Sequence, residues 1–216
     1  MALLLACLLP AHAQSNRPDP RDPFEPFNRA MFSVNDALDR ALIKPVATVY
    51  GKVTPHWVRK SVGNFFGNVG DVWSVVNNAA TLKGQATSDS LGRVMVNSTI
   101  GLLGLIDVAS EMDIEKHPAD FGLTLGRWGV KPGPYVYLPV IGPTTVRDGV
   151  GAVVNMLGDP VSQATGGPGT DFATGRSVVR GLDARAEGDA TLTSVMRDST
   201  DPYATIRSAY LQNRAA

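Results

Sequence analysis

The residue types that could form a catalytic site are few and scattered along the chain. The histidines His12, His56 and His117 are isolated in sequence, and Ser177 lacks the second glycine of a G-x-S-x-G nucleophile elbow. The single cysteine, Cys7, excludes a multi-cysteine zinc site, and neither an H-E-x-x-H nor a C-x-x-C spacing occurs. We therefore expect a protein that is not an enzyme and that holds no metal and no cofactor.

Composition narrows the class of protein further. The 216 residues carry 20 basic and 20 acidic side chains, so that the formal net charge is zero, which argues against a nucleic-acid partner. Hydrophobic residues make up 44% of the chain and charged residues only 19%. This shortage of charge fits a domain whose surface partly faces lipid or a partner, although an ordinary soluble domain fits the composition equally well.

The N-terminus resembles an export signal. Residues 1–13, MALLLACLLPAHA, contain no charged side chain and are rich in leucine and alanine. Two interpretations stay open: a signal peptide cleaved before Gln14, or a lipoprotein signal that ends before an acylated Cys7. Residues 14–26 contain four prolines and are expected to form an extended linker. No later segment has the roughly 20 uncharged residues of a spanning helix.

Apolar periodicity predicts helices along most of the remaining chain. The first has an apolar stripe from Phe27 through Met31 to Leu42 and should end before Pro45. Whether this stripe faces a protein core or lipid stays open. Further helices are expected over 55–69, then from Asp71, and then from Ser88 or Asp89.

The middle of the chain is more varied. Residues 94–106 are uncharged, too short to span a bilayer, and are expected to be buried or interfacial. Residues 110–120 are polar and should form an exposed loop, and the Gly/Pro-rich stretch 121–143 cannot be one regular helix, although Tyr135 to Val140 is a candidate extended segment. Thr144 or Thr145 should cap a helix.

The last third returns to helical patterns. Asp201 followed by Pro202 is a strong helix start, after which Tyr203, Ile206 and Tyr210 share one face. Alternating strand patterns are nearly absent, so the fold should be mainly α.

A set of motifs in fixed order resembles the MlaA/VacJ family of outer-membrane lipoproteins. The resemblance runs from about residue 21 to 212. Its motifs are Asp22-Pro23-Phe24-Glu25-Pro26-Phe27-Asn28-Arg29-Ala30-Met31, Lys44-Pro45-Val46-Ala47, Asn64-Phe65, Asn97-Ser98-Thr99-Ile100-Gly101, Ile106-Asp107-Val108-Ala109, Thr124-Leu125-Gly126, Gly133-Pro134-Tyr135-Val136 and Asp201-Pro202-Tyr203.

The resemblance implies a single domain over residues 27–214, built as a ring-like assembly of amphipathic helices with the Gly/Pro-rich loop segment in its middle. Such a protein sits on the periplasmic side of the outer membrane, takes misplaced phospholipid from the outer leaflet through a polar passage to the periplasmic carrier MlaC, and associates with a trimeric porin. The resemblance also implies that residues 110–121 form a gate, with Gly129 as a hinge and Met31 near the channel. The residues expected at the passage or gate are Met31, Asp107, Glu111, His117, Phe121 and Gly129.

Two rival functions remain at this point. One is a structural or surface-spreading protein that anchors other envelope components, and the other is a lipase acting on the same membrane. The missing nucleophile motifs disfavour the lipase.

Overall fold

The computed structural model describes residues 19–159 and 163–215. The predicted signal over residues 1–13, with Cys7, lies outside the described residues. The helices are α1 (Glu25–Leu38), α2 (Lys44–Val53), α3 (His56–Ala80), α4 (Gly84–Thr99), α5 (Val108–Glu111), α6 (Phe121–Arg127), α7 (Val146–Gly158), α8 (Asp171–Glu187), α9 (Asp189–Asp198) and α10 (Pro202–Asn213), and the strands are β1 (Tyr135–Leu138) and β2 (Gly142–Thr145). The mainly α prediction is confirmed. None of the described helices combines the length and the apolarity needed to cross a membrane.

The first helical segment continues through Pro45, whereas the sequence predicts that it ends before this residue. After α1 the backbone forms a π-helical turn from Asp39 to Ile43, and the amide of Lys44 donates to the carbonyl of Asp39, five residues back. This wider turn accommodates a residue that has no N–H and whose ring would clash in a regular α-helix. Pro45 then occupies the first turn of α2.

The prediction of a new helix at Asp71 is wrong, because α3 runs unbroken from His56 to Ala80. Asp71 lies inside this helix and is buried. Helix α4, which packs along α3, begins at Gly84 rather than at Ser88 or Asp89. The Ser88 hydroxyl instead donates to the Gly84 carbonyl within the helix, and Asp89 pairs with His117.

The uncharged segment 94–106 is not one buried element. Its first part belongs to α4, and from Ile100 to Ile106 the chain forms tight turns; we call these seven residues the apolar loop. Only its glycines, Gly101 and Gly104, are buried. Of the two predicted alternatives, buried or interfacial, the buried one is wrong for the apolar loop, because the turns direct the large side chains outward.

The polar stretch 110–120 is exposed at most positions, as predicted, and it is also hydrogen bonded to the rest of the fold. Its first residues complete α5, the carbonyl of Ile114 accepts a hydrogen bond from Arg93, and the carbonyl of His117 accepts one from Asn78. Asp120 then caps α6 by accepting from the amide of Leu123.

An aromatic core joins the two ends of the domain. Strands β1 and β2 form an antiparallel hairpin in which Tyr135 lies opposite Thr145. Tyr135 and Tyr137 from β1 pack with Phe32 of α1 and with Tyr203 of α10. Tyr203 lies on the helix face that the sequence predicts. The expected cap is confirmed at Thr145, whose side chain accepts from the amide of Asp148.

The N-terminal segment is tied to this core by polar contacts. The amide of Tyr135 donates to the carbonyl of Arg21, and α1 begins at Glu25, so the described part of the linker predicted over 14–26 is part of the domain rather than extended; residues 14–18 lie outside the described residues. The fully buried Asp22 accepts hydrogen bonds from Asn28 at 2.7 Å, from the Tyr203 hydroxyl at 2.5 Å and from Arg207 at 2.6 Å. The expected cap at Asp201 is also present.

Candidate functional site

The described part of the chain has an unusual distribution of polar and apolar side chains. Fifteen polar or charged residues are buried, against seven hydrophobic ones. In water-soluble domains, Asp and Arg are almost never fully buried unless they are paired, and large apolar side chains fill the core. Many large hydrophobic side chains here instead face outward, among them Leu42, Trp57, Met95, Leu103 and Ile141.

The outward apolar side chains belong to elements in every part of the fold. They occur along α1 and α2, in α3 and α4, in the apolar loop, at the β-hairpin turn and along α7. Isolated exposed hydrophobic residues are normal, whereas extensive exposed apolar surface marks contact with a membrane or a partner.

A half-open cavity of about 540 Å³ has seven charged residues among the sixteen that line it, and we call it the polar passage. It lies between α3, the segment leading into α6, α7, α8 and the end of α10. Its wall is formed by Gly67, Gly70, Asp71, Trp73, Ser74, Lys116, Pro118, Ala119, Asp120, Leu123, Asn155, Asp159, Arg176, Arg180, Asn213 and Arg214.

Ion pairs fix one side of the polar passage. Arg214 donates to Asp120 at 2.7 and 3.1 Å and to Asp148 at 3.0 Å. Burial alone would raise the pKa of Asp148, but hydrogen bonds from Arg214, Tyr210 and Arg147 hold it well below its usual range. The carboxylates of Asp120 and Asp148 therefore stay charged and keep Arg214 in place.

Two other cations of the cavity wall, Arg180 and Lys116, have fewer partners. Arg180 is partly exposed and makes no salt bridge or hydrogen bond with another described residue, and the loss of hydration at the cavity wall together with the nearby charge of Arg176 lowers its pKa. Even so, an arginine stays protonated at neutral pH. Lys116 is near the charge of Asp71, whose pKa is raised by burial. An anionic group entering the passage would find Arg180 and Lys116 available as donors.

None of the six residues predicted for the passage or gate forms the wall of this cavity. The side chain of Met31 packs against the aromatic core, and Asp107 accepts hydrogen bonds from Arg93, Asn97 and Ser110. Glu111 is exposed at the end of α5. Their roles at a passage stay predictions.

The other three predicted residues flank the segment that enters the wall. The Nε2 atom of His117 lies 2.8 Å from the carboxylate of Asp89, the amide of Phe121 donates to Asn155, and Gly129 is exposed with a φ of +89°. Of the predicted gate 110–121, Lys116, Pro118, Ala119 and Asp120 reach the polar passage.

The charged residues that line the cavity do not stand out in the sequence as a site. Asp71 and Arg180 are charges that follow valines within helical stretches, at Val69 and at Val178-Val179. A charged residue that directly follows apolar residues within a helix can indicate a polar site inside the fold. The residues that the structure describes include no group of His, Cys, Asp and Glu side chains suited to a metal ion. The arrangement can hold a polar, phosphate-bearing group while apolar chains remain outside.

Sequence comparison gives the family of this chain. A family model described as MlaA lipoprotein matches residues 20–216. The chain belongs to the MlaA lipoprotein family. The resemblance seen in the ordered motifs is thereby confirmed.

Several relatives of this MlaA-family chain are similar over most of their length. The intermembrane phospholipid transport system lipoprotein MlaA of Escherichia coli is 32% identical over 216 residues, covering 97% of this chain and 82% of the relative. The lipoprotein of the same name from Haemophilus influenzae is 33% identical, covering 98% and 86%. An uncharacterised protein of Rickettsia typhi is 36% identical, covering 90% and 77%.

A solved structure shares the fold of this MlaA-family chain. It comes from work on the structural basis for maintenance of bacterial outer membrane lipid asymmetry, and it matches with a TM-score of 0.79 at 33% identity. The match covers 89% of this chain and 96% of the solved chain.

Proposed function

We propose that this chain takes part in maintaining outer-membrane lipid asymmetry by carrying misplaced phospholipid from the outer leaflet, through the polar passage, to the periplasmic carrier MlaC. The proposal is carried by one observation: charged side chains line a half-open cavity, with the buried Asp71 at its wall, while large apolar side chains face outward. Phospholipids have a charged headgroup and apolar tails, and this arrangement offers each part a matching surface.

The apolar exterior supports a position in the membrane. The described helices are not suited to crossing a bilayer, and yet their apolar side chains are exposed, as in helices that lie within one leaflet. Relatives named as lipoproteins of an intermembrane phospholipid transport system support the outer membrane as the location. We extend this to the periplasmic side of that membrane, with a trimeric porin as a neighbour.

The polar passage supports the transport step. Moving a headgroup across an apolar layer is slow because the layer offers it no hydrogen-bond partners. Arg180 and Lys116 can donate to the phosphate in transit, while the Arg214–Asp120 pair keeps the cavity open. The tails need no binding site of their own, because they lose little by staying in lipid.

We further propose that the chain catalyses no reaction. His117, paired with Asp89, has the orientation of a catalytic dyad, but no serine, threonine or cysteine among the described residues hydrogen bonds to it. Without a nucleophile at hydrogen-bond distance, the pair cannot activate one.

The test uses a bacterial strain that lacks its own MlaA lipoprotein. Expression of this chain should lower the amount of phospholipid in the outer leaflet, measured with a labelling reagent that does not enter the cell. The variant Lys116→Glu/Arg180→Glu should lose this activity, because carboxylates would repel the phosphate. Lys131→Glu, at an exposed lysine outside the cavity wall, is the matched control and should remain active.

Two results would contradict the proposal. The first is full activity of the Lys116→Glu/Arg180→Glu variant at normal protein levels. The second is hydrolysis of labelled phospholipid by the purified protein, which would support the lipase. If deletion of residues 110–121 leaves the lipid distribution unchanged while other envelope proteins detach, the anchoring role is favoured instead.

A further inference from the structure

The apolar loop has a backbone that leucine rarely adopts. Leu102 and Leu103 have φ values of 54° and 61°, and Gly104 follows at 92°. Left-handed φ is easy for glycine but unfavourable for a residue with a bulky side chain, so that two adjacent leucines there are unusual. Residues held in this way are over-represented at sites that bind or switch.

The strained turns have one clear consequence, which is that they turn large side chains away from the fold. The loop carries no charge, and neither do the residues before it back to Val94. The exposed fractions are 65% for Ile100, 61% for Leu102, 69% for Leu103, 42% for Leu105 and 50% for Ile106.

Most amide groups of the apolar loop are hydrogen bonded within the chain itself, and three of its seven carbonyls, those of Gly101, Leu102 and Leu105, accept hydrogen bonds. Six of the seven N–H groups from Ile100 to Ile106 donate to carbonyl oxygens between Val96 and Leu102. The carbonyl of Leu105 in turn accepts from the side chain of Asn64 at 3.3 Å. A loop exposed to water can leave such groups to the solvent, whereas a loop in hydrocarbon must satisfy them internally.

The base of the loop is rigid. A Cβ on Gly104 would lie 2.6 Å from the Cβ of Asn68, and one on Gly101 would lie 2.3 Å from the carbonyl oxygen of Ile106. Directly after the loop, Asp107 is held by Arg93 and Asn97. The exposed side chains are thus presented from a fixed platform.

From these observations we infer that the apolar loop, Ile100–Ile106, is a wedge that inserts among the acyl chains of the membrane leaflet. The inference rests on the proposed position in the outer membrane and specifies which element enters the hydrocarbon. An uncharged surface whose amide groups are mostly bonded within the chain matches acyl chains, which offer no hydrogen bonds. It offers few polar groups to a protein partner, whose interface normally includes hydrogen bonds.

The experiment places a polarity-sensitive fluorophore on the full-length protein at Leu103→Cys and, as a control, at Glu115→Cys. Glu115 is exposed in the polar segment that follows α5. The protein is reconstituted into vesicles of phosphatidylethanolamine and phosphatidylglycerol. Nitroxide groups on the acyl chains should quench the label at position 103 several-fold more than the label at 115, and aqueous iodide should show the opposite order.

Two quenching results would contradict the insertion of the apolar loop into the leaflet. Iodide access at position 103 equal to that at 115 would place the loop in water. Protection from both quenchers would show that protein, from a partner or a second copy, covers the loop. If the protein does not float with the vesicles at all, the proposed membrane position itself is wrong. Flotation therefore distinguishes failure of the membrane position from failure of the loop insertion.

A second variant tests the insertion of the apolar loop in a protein whose fold should be preserved. In Leu102→Asn/Leu103→Asn both new residues tolerate left-handed φ, so that the melting temperature should be unchanged or higher. A larger share of the protein should nevertheless be released from vesicles by alkaline carbonate. Asp113→Asn, at an exposed position with a φ of 56°, is the control and should behave as the native chain. Equal release of the two variants would contradict the wedge.

Discussion

One guanidinium nitrogen of Arg93, Nη2, donates to both carboxylate oxygens of Asp107, at 2.8 and 2.9 Å. Arg93 is 2% exposed, and its remaining donors reach Asp71 in α3 and the carbonyl of Ile114. One buried side chain of α4 thereby connects α3, the end of the apolar loop and the polar segment that leads to the passage.

Asp107→Asn should destabilise the protein strongly. The substitution keeps the shape of the side chain but removes the closest countercharge of a buried arginine, which costs about 3 kcal/mol of unfolding free energy. Asp198→Asn breaks a surface pair in which Arg197 is 76% exposed, and should cost less than about 1 kcal/mol. Denaturant unfolding in detergent measures both. Equal losses in the two variants would contradict the structural role of Arg93.

The same carboxylate predicts an acid transition. Burial acts to raise the pKa of Asp107, but hydrogen bonds from Ser110, Asn97 and Arg93 outweigh it and lower the pKa from 3.8 to about 2. A lowered pKa in the folded state means that the stabilisation is complete above the ordinary value of 3.8 and is lost as the pH falls toward 2. The melting temperature should fall over this window in the native chain and less steeply in Asp107→Asn. A parallel fall in both would exclude Asp107 as a cause.

Gly104→Ala and Gly175→Ala should change stability in opposite directions. Gly104 has a φ of +92° and an added Cβ would overlap Asn68, so the first substitution should lose about 2 kcal/mol or more. Gly175 lies in α8 with no atom near an added Cβ, so the second should gain about 0.5–1 kcal/mol. Thermal unfolding of the two variants checks this. Stabilisation by both would mean that the loop is not strained at Gly104.

The features that the sequence predicted well depend on local chemistry. The caps at Thr145 and Asp201 follow from a side-chain oxygen placed before a helix, and the aromatic face of α10 follows from helical periodicity. The order of motifs was sufficient to indicate the family.

The features that were missed depend on partners far away in sequence. Asp71 was predicted as a cap because Asp is common there, whereas its partner Arg93 is 22 residues away. The helix path through Pro45 needs a π turn that periodicity does not reveal. The wall of the polar passage combines α3, α8 and α10, so that no single stretch of sequence could have shown that Arg180 and Lys116 meet there.

Asn28→Asp should be among the most damaging single substitutions in the chain, although it replaces only one atom. The fully buried Asn28 donates to Asp22 at 2.7 Å and to the carbonyl of Tyr135 at 3.1 Å, and accepts from the amide of Tyr137 at 2.8 Å. An aspartate would lose both donations and would bring a second carboxylate against Asp22, at a cost of about 3 kcal/mol or more. Gln212→Glu makes the same amide-to-acid change at an exposed site of α10 and should stay within about 0.5 kcal/mol. If denaturant unfolding shows Asn28→Asp to be as stable as Gln212→Glu, then the polar contacts between the N-terminal segment and the aromatic core do not hold the two ends of the domain together.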